Sequence, residues 1–448
     1  MIFMQFLVIL GCLLIGSRLG GISLGVISGV GLFILTFVFG LKPGDPPVGV
    51  MLTIIAVISC ASVLQTAGGL NVMMKFAEKL LRKNPSYITI LAPLTTWTLT
   101  VICGTGHVVY TMFPIIYDIA IKKNIRPERP MAVASVASQI GVCASPMSVA
   151  VVSMVSILAE SHGIGISVGL IDLLKVAIPS SFIGVLVASF WSLRRGKDLN
   201  KDKEFQQKLK DPEQKNYIYG DSQGSLINKK FPKESYWATW IFIATTIVVV
   251  IFGAFENLRP HFIIDGKTQI LSMNLIIQMI MLVSASIMLI ICKVKAQEVP
   301  SGAIFKAGMA AVLCVFGVAW MADTFFDAHF ILLENSLMDI VKIYPWTYAI
   351  VLLFVSTMVN SQAAAITAIV PLGISLGVDP KLIVAFMPAA YGYYLLPTYP
   401  SDLACIGFDR SGTTRIGKYI INHSFILPGF IGVSTSCFVG YLLVKIAF

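Results

Sequence analysis

Long apolar runs of helical length, separated by short polar stretches, fill most of the chain. Runs at 2–16, 20–40 and 48–70 predict three crossings. In Asn71–Lys83, Val72, Met73, Phe76 and Leu80 interleave with Lys75, Glu78 and Lys79, the period of an amphipathic helix lying at a membrane interface. Two arms, 86–103 and 107–121, follow on either side of Gly104-Thr105-Gly106, and neither reads comfortably as an ordinary crossing. A stretch over 130–160 is interrupted at Ser145-Pro146-Met147-Ser148, and a helix is expected at 170–192. After a polar segment, 193–236, the order recurs. Crossings fall at 237–255, 270–292 and 303–325, and Ile331–Ile343 is again amphipathic. Arms at 345–359 and 363–378 flank Asn360-Ser361-Gln362. A stretch at 381–409 is interrupted at Pro397-Thr398-Tyr399-Pro400-Ser401, and a last helix covers 424–446.

The pattern predicts an all-α polytopic membrane protein. Its two inverted repeats, 1–192 and 237–448, have about ten crossings plus two re-entrant hairpins (86–121 and 345–378) and two broken helices (130–160 and 381–409). Internal repetition of this kind is how membrane carriers build alternating access. Residues 193–236, rich in Asp, Glu and Lys, read as a solvated connector, not a folded domain.

Composition narrows the class. At 56% hydrophobic, 12% charged and mean hydropathy +0.83, the chain cannot supply a soluble surface. The first run, Ile2–Gly16, lacks a basic leader and a small-residue cleavage site, so it reads as a retained helix. Eight cysteines lie scattered, mostly in apolar runs, without a Cys-x-x-Cys pair or a Cys/His cluster, and read as small apolar fillers. No phosphate-binding Gly-rich loop, nucleophile, metal cluster or cofactor fingerprint is present, so neither an enzyme nor a bound cofactor or metal is expected.

In a soluble protein the formal charge of +10 would suggest nucleic acid. Its distribution argues otherwise. With re-entrant hairpins and an external N-terminus, about 26 of the 33 Lys and Arg fall on one side and about 6 on the other. Fully crossing hairpins would instead put Lys122–Arg129 opposite Lys75–Arg82. The charge therefore reads as cytoplasmic bias, with the connector cytoplasmic and no nucleic-acid partner.

The chemistry concentrates at the four interruptions. Backbone at membrane depth must be bonded within the protein or line a wet cavity. Each break also exposes the free N–H groups of the half-helix that follows, an end that suits a carboxylate. Four breaks paired between two repeats point to one shared anion site, with Gly104/Asn360, Thr105/Ser361 and Thr111/Thr367 aligning at a single offset. Pro114 and Pro371 need a one-residue shift, and Pro146 matches either Pro397 or Pro400. No basic residue lies at any tip, so neutral donors would hold a substrate that must also leave. The candidate site is Gly104, Thr105, Gly106, His107, Ser145, Pro146, Ser148, Asn360, Ser361, Gln362, Thr398, Pro400, Ser401 and Asp402. His107 is either a substrate donor, a proton sensor or a structural hydrogen-bonding group. Asp402 orients its loop, pairs with Arg410 or binds a coupling cation. Asp118, Lys175, Asp323 and Asp327 are expected at interfaces, and Tyr391–Tyr394 in packing or interface anchoring.

Several long stretches together resemble the anaerobic C4-dicarboxylate transporter (Dcu) family. They are Cys103–Asp118, Ile125-Arg126-Pro127-Glu128-Arg129-Pro130-Met131-Ala132, Val359–Ala365, Tyr391–Leu403, Phe408-Asp409-Arg410-Ser411-Gly412 and Ile421–Gly429. The resemblance is nearest to the branch associated with fumarate and succinate exchange. It implies a bacterial inner-membrane carrier of anaerobic growth that takes in fumarate, malate or aspartate and exports succinate. A more distant likeness is to sodium-coupled dicarboxylate carriers, whose hairpin tips carry Ser-Asn-Thr. That likeness implies an elevator-type motion and, as in relatives of that type, a homodimer. The tips here, Gly104-Thr105-Gly106 and Asn360-Ser361-Gln362, depart from Ser-Asn-Thr, which favours exchange over sodium coupling. A cation-coupled uptake carrier, and a carrier whose connector also regulates a membrane sensor kinase, are the alternatives.

Overall fold

A computed structural model describes residues 1–448 except 20–21, 161–167, 221–225, 228, 265–266, 397–398, 418–421 and 448. At 17–18, 160, 256, 264, 267–268, 330–342 and 447 it describes the backbone alone. The first half runs through α1 (Ile2–Leu19), α2 (Ser23–Phe33, continued by a π-turn over Ile34–Val38), α3 (Val48–Thr66) and α4 (Gly69–Lys83). Hairpin A is α5 (Ile88–Cys103) and α6 (Val109–Lys122). Broken helix A is α7 (Glu128–Ile140) and α8 (Val149–Glu160), and α9 (Leu170–Ser192) closes the half.

Two short helices, α10 (Lys203–Lys208) and α11 (Pro212–Tyr219), precede α12 (Lys233–Ala254), α13 (Met273–Ile291) and α14 (Ala303–Ile343). Hairpin B is α15 (Trp346–Val359) and α16 (Gln362–Ser375). Broken helix B is α17 (Pro380–Ala385) and α18 (Pro400–Phe408), joined through two 3₁₀ turns, and α19 (Ile426–Ala447) is last. A two-stranded ribbon, His261–Ile264 paired with Lys267–Ile270, joins α12 to α13 and carries no signal in the apolar pattern. Among the described residues eight helices are long and apolar enough to cross a membrane, α5 with its preceding turn among them.

Both hairpins fold back on themselves. Arg82, just before α5, reaches Asp118 near the end of α6 at 3.0 Å, so the two feet of hairpin A are tied together. Asp118 is buried between Arg82 and Lys122 and is not an interfacial carboxylate. In hairpin B the Tyr348 ring lies where a side chain on Gly373 would stand, which brings the far ends of α15 and α16 together.

Close crossings elsewhere use small residues, as helix packing in lipid requires. Gly184 on α9 abuts Gly432 and Ser436 on α19, and Gly25 on α2 meets the backbone of α14 at Leu313. One expected boundary is absent, because the segment Ile331–Ile343 is continuous with α14. The first half breaks between α3 and α4 at Gly68, whose φ is +78°, whereas Phe325–Ile343 contains neither Gly nor Pro to end a helix.

The connector is not a solvated tether. Leu199, Phe205 and Ile218 are fully buried, and Tyr117 on α6 donates to the Ile218 carbonyl at 3.0 Å. Ion pairs fasten the segment to the ends of both broken helices: Arg126–Asp202 at 2.6 Å, Arg129–Asp198 at 2.9 Å and Arg415–Glu204 at 2.9 Å. Arg126 also holds Glu128 at 2.8 Å, and the Arg410 guanidinium lies over the Tyr117 ring while donating to Gly220. The charged composition that suggested solvation serves instead as docking.

Burial pushes the Asp202 carboxyl up, but hydrogen bonds from Arg126 and from the Phe205 and Glu204 N–H groups outweigh it. They hold Asp202 below the ordinary carboxylate range. Its contribution to docking is therefore complete above that range and is lost as pH falls through the lowered value. Arg126→Met takes the cation from the half-buried Asp202 and leaves Glu128 with Arg195 and Ser424. It should cost about 1.5 kcal/mol, the lower end for a hydrogen bond to a charged group. The expected sign is faster hydrogen exchange over 199–219 and a lower Tm in detergent. Unchanged exchange there would show that the ion pairs do not hold the connector.

Candidate functional site

The two hairpin tips share one backbone design. The first arm of each ends on a left-handed residue, Gly104 (φ +73°) or Asn360 (φ +53°), the conformation that glycine and asparagine adopt most readily. An extended residue follows, Thr105 or Ser361. Its hydroxyl oxygen caps the next turn: Thr105 accepts from the His107 N–H at 3.3 Å, and Ser361 from the Ala364 N–H at 3.3 Å. A capping hydroxyl that accepts in this way keeps its own proton to donate.

The tips face a common cavity of about 330 Å³, at the lower end of the range for small-ligand sites. Gly104, Thr105, Gly106 and His107 line it from hairpin A, and Asn360, Ser361 and Gln362 from hairpin B. Val149 and Ala150, the first residues of α8, add a third half-helix start. The N–H groups that open α16 and α8 have no intrahelical acceptor, so three partially positive helix ends converge. Among the described residues no Lys, Arg, Asp or Glu lines the cavity. The opposite wall is apolar and small, made of Ala307, Gly308 and Ala311 on α14 with Ile58 and Ala61 on α3.

A buried amide and phenol network joins the tips to the broken helices. The Gln362 amide donates to the Gln139 carbonyl at 2.8 Å and to the Tyr393 hydroxyl at 3.3 Å. Tyr393 donates to Gln139 Oε1 at 2.8 Å, and the Cys143 thiol donates to Gln362 Oε1 at 3.2 Å. Tyr399 packs on Tyr393, with ring centroids 4.5 Å apart, and also lines the cavity. Gln139 carries no sequence signal beyond lying near a break. Tyr393 and Tyr399 fall in the stretch Tyr391–Leu403 that resembles the family, and Tyr393 is a cavity residue rather than only a packing aromatic.

Six other expected residues stand outside the cavity lining. Ser145 and Ser148 are fully buried and satisfy their own turn: Ser145 accepts from the Met147 N–H, while Ser148 donates to the Val142 carbonyl and caps Val151. Pro146 lies in that same turn. Pro400 opens α18, and Ser401 and Asp402 behind it turn toward α7, where Ser135 donates to Asp402 Oδ1 at 2.7 Å and to Ser401 at 3.2 Å. Asp402 thus anchors α18 to α7 and is not paired with Arg410. Ser145 and Ser148 are consumed in satisfying the polar groups of their own buried turn, whereas Asp402 is held through Oδ1 alone and its Oδ2 is buried without a hydrogen-bond partner among the described residues. Thr398 lies outside the described residues. His107 lines the cavity with its ring stacked on Tyr110, 5.7 Å between centroids.

Broken helices meeting around an uncharged cavity within a bundle of apolar helices define a polytopic membrane protein, and its fold is shared by solved membrane proteins. The *Alcanivorax borkumensis* YdaH transporter shares it with a TM-score of 0.62 and 13% identity, over 95% of this chain and 97% of that one. *Neisseria gonorrhoeae* MtrF, described with a class of antimetabolite efflux pumps, shares it with a TM-score of 0.57 and 13% identity, over 93% and 84%. At that identity the likeness shows the fold alone.

Sequence relatives carry the identity further. The chain belongs to the anaerobic C4-dicarboxylate membrane transporter family, whose profile matches residues 1–448. It is 55% identical to the anaerobic C4-dicarboxylate transporter DcuB of *Escherichia coli* O6:H1 over 438 residues, 98% of this chain and 97% of that one. It is 36% identical to the C4-dicarboxylate transporter DcuA of *Wolinella succinogenes* over 446 residues, the full length of both. The protein is a multi-pass C4-dicarboxylate transporter and not an enzyme.

Proposed function

We propose that the protein exchanges C4-dicarboxylates across the bacterial inner membrane in anaerobic metabolism, with fumarate, malate or aspartate entering and succinate leaving. The observation that carries this reading is the convergence of both tips on a cavity with helix-end and hydroxyl donors but no fixed cation. Such donors hold a carboxylate without the tight clamp of a Lys or Arg, so binding and release are both fast. Two carboxylates, one toward each tip, match the pairing of Thr105 with Ser361. The hairpins and broken helices form the moving body, and the small apolar wall of α3 and α14 is the surface it moves against. The basic face, with the docked connector, lies in the cytoplasm, and the carrier works as a homodimer.

Counterflow tests the reading. Vesicles loaded with succinate should take up labelled fumarate many times faster than empty vesicles, with or without sodium. Equal rates into loaded and empty vesicles would remove the exchange claim, and dependence on sodium would favour coupled uptake. Asn360→Gly keeps the left-handed backbone but deletes the amide, and it should raise the half-saturation concentration for fumarate about tenfold, the worth of a hydrogen bond to a charged group. An unaltered value would take Asn360 out of the site.

A further inference from the structure

Between α4, α5 and α12 lies an apolar slot of about 540 Å³ that is separate from the central cavity. We propose that it binds one anionic phospholipid, with the acyl chains along α5 and the phosphate at Lys75 and Lys79. Three observations select that occupant.

The slot has the depth of one leaflet. Its α5 wall runs from Leu91, near the foot of hairpin A, to Ile102 beside the tip, roughly 16 Å of helix at about 1.5 Å per residue. Half of a hydrocarbon core of about 30 Å is nearly the same.

Its lining also suits hydrocarbon. Leu94, Leu99 and Met73 form the wall, and two of the hydroxyls it contains are internally bonded: Thr98 donates to the Leu94 carbonyl, and Thr239 to the carbonyls of Gly69 and Ser235. Phe76, Leu80 and Trp240 stand exposed at its rim, as side chains that touch lipid do.

Finally, the mouth is basic. A second cavity of about 250 Å³ shares Val72, Phe76 and Tyr236 with the slot and adds Lys75 and Lys79. These lysines stand one turn apart on the same face of α4. Lys75 spends one donor on the Lys229 carbonyl at 2.5 Å and lies over the Phe231 ring, while Lys79 is exposed. The nearest acid on the helix, Glu78, is fully buried and turned inward onto Arg82 and the Leu226 N–H, so it does not neutralise the mouth. Polar headgroup and apolar tail therefore meet complementary surfaces in the order in which a lipid presents them. The slot lies between hairpin A and α12, so its occupant would bear on both.

The experiment uses the full chain, delipidated in detergent and titrated with phosphatidylglycerol under native mass spectrometry and thermal unfolding. One lipid per chain should bind and raise the Tm. Lys75→Gln/Lys79→Gln should weaken that binding on the order of thirtyfold, from about 1 kcal/mol per basic residue. Thr98→Trp, which fills the slot, should abolish the retained lipid while leaving the lysines in place. A charge-matched control on the connector, Lys203→Gln/Lys210→Gln, should bind as the parent does. An equal response to phosphatidylethanolamine would mean ordinary annular lipid and overturn the proposal. So would the same Tm rise with inorganic phosphate, or an equal loss of binding in the connector control.

Discussion

Gly104→Ala should reduce dicarboxylate uptake to background in vesicles that still contain the folded carrier. Gly104 has φ +73°, a region that costs an alanine about 1–2 kcal/mol. The added methyl would also stand 2.5 Å from the Met147 carbonyl oxygen and 2.8 Å from its carbon. Those atoms are backbone in the turn that opens α8, so relief of the clash must displace either the tip or the start of α8. Both line the cavity. A shift of a few tenths of an ångström at two of three converging helix ends affects binding directly, since donor geometry at a carboxylate is narrow. Uptake and counterflow, with the amount of membrane-inserted protein measured alongside, make the check. Uptake within twofold of the parent would show that the tip is not held against Met147. The matching residue of hairpin B is asparagine, so the same left-handed backbone is kept there with an amide added at the cavity wall.

Gln362→Leu should be nearly as damaging, through the network rather than the backbone. The amide of Gln362 joins hairpin B to Gln139 of broken helix A and to Tyr393 of broken helix B. Leucine leaves the Gln139 carbonyl without this partner in a buried site, at about 1–3 kcal/mol, and leaves the Cys143 thiol only the Met387 carbonyl. A fall in Tm of the solubilised protein should accompany a loss of uptake of at least about tenfold. Tyr393→Phe removes only one hydroxyl and should cost less. The double variant should fall short of the sum by about 0.5–3 kcal/mol, because the two side chains share a partner. Strict additivity would show that they act independently.

Much of the helical layout was legible from the apolar pattern, because a membrane leaves few choices for a long apolar run. The tips were legible for a local reason as well: a left-handed Gly or Asn followed by Thr or Ser is a turn and cap that four residues specify. The docking of the connector is not legible in its composition, because charge in a sequence does not say whether a side chain meets water or an opposite charge from elsewhere. Arg126, Arg129 and Arg415 sit far from Asp202, Asp198 and Glu204 in the chain, and only folding pairs them. The merger of Ile331–Ile343 into α14 was missed for the opposite reason, since amphipathicity marks a face and not an end, and no helix-ending residue was there.

The sequence by itself determined the class of protein, most of the order of its helices, the places of the two tips and the break in the first broken helix. Each of these follows from interactions within a few residues or from the cost of polar backbone in lipid. The second broken helix opens earlier than Pro397, because α17 already ends at Ala385 and α18 begins at Pro400. Tertiary structure alone decided which polar side chains near those breaks face the cavity. Ser145, Ser148 and Asp402 lie as near to a break as Thr105 and Gln362 do, yet they are taken up by their own turn or by Ser135. Gln139, which no motif marked, and Tyr393, expected only to pack or anchor, complete the network across the cavity wall. A buried hydroxyl or amide goes to whichever partner the packed helices bring within about 3 Å, and that partner is set by the whole fold.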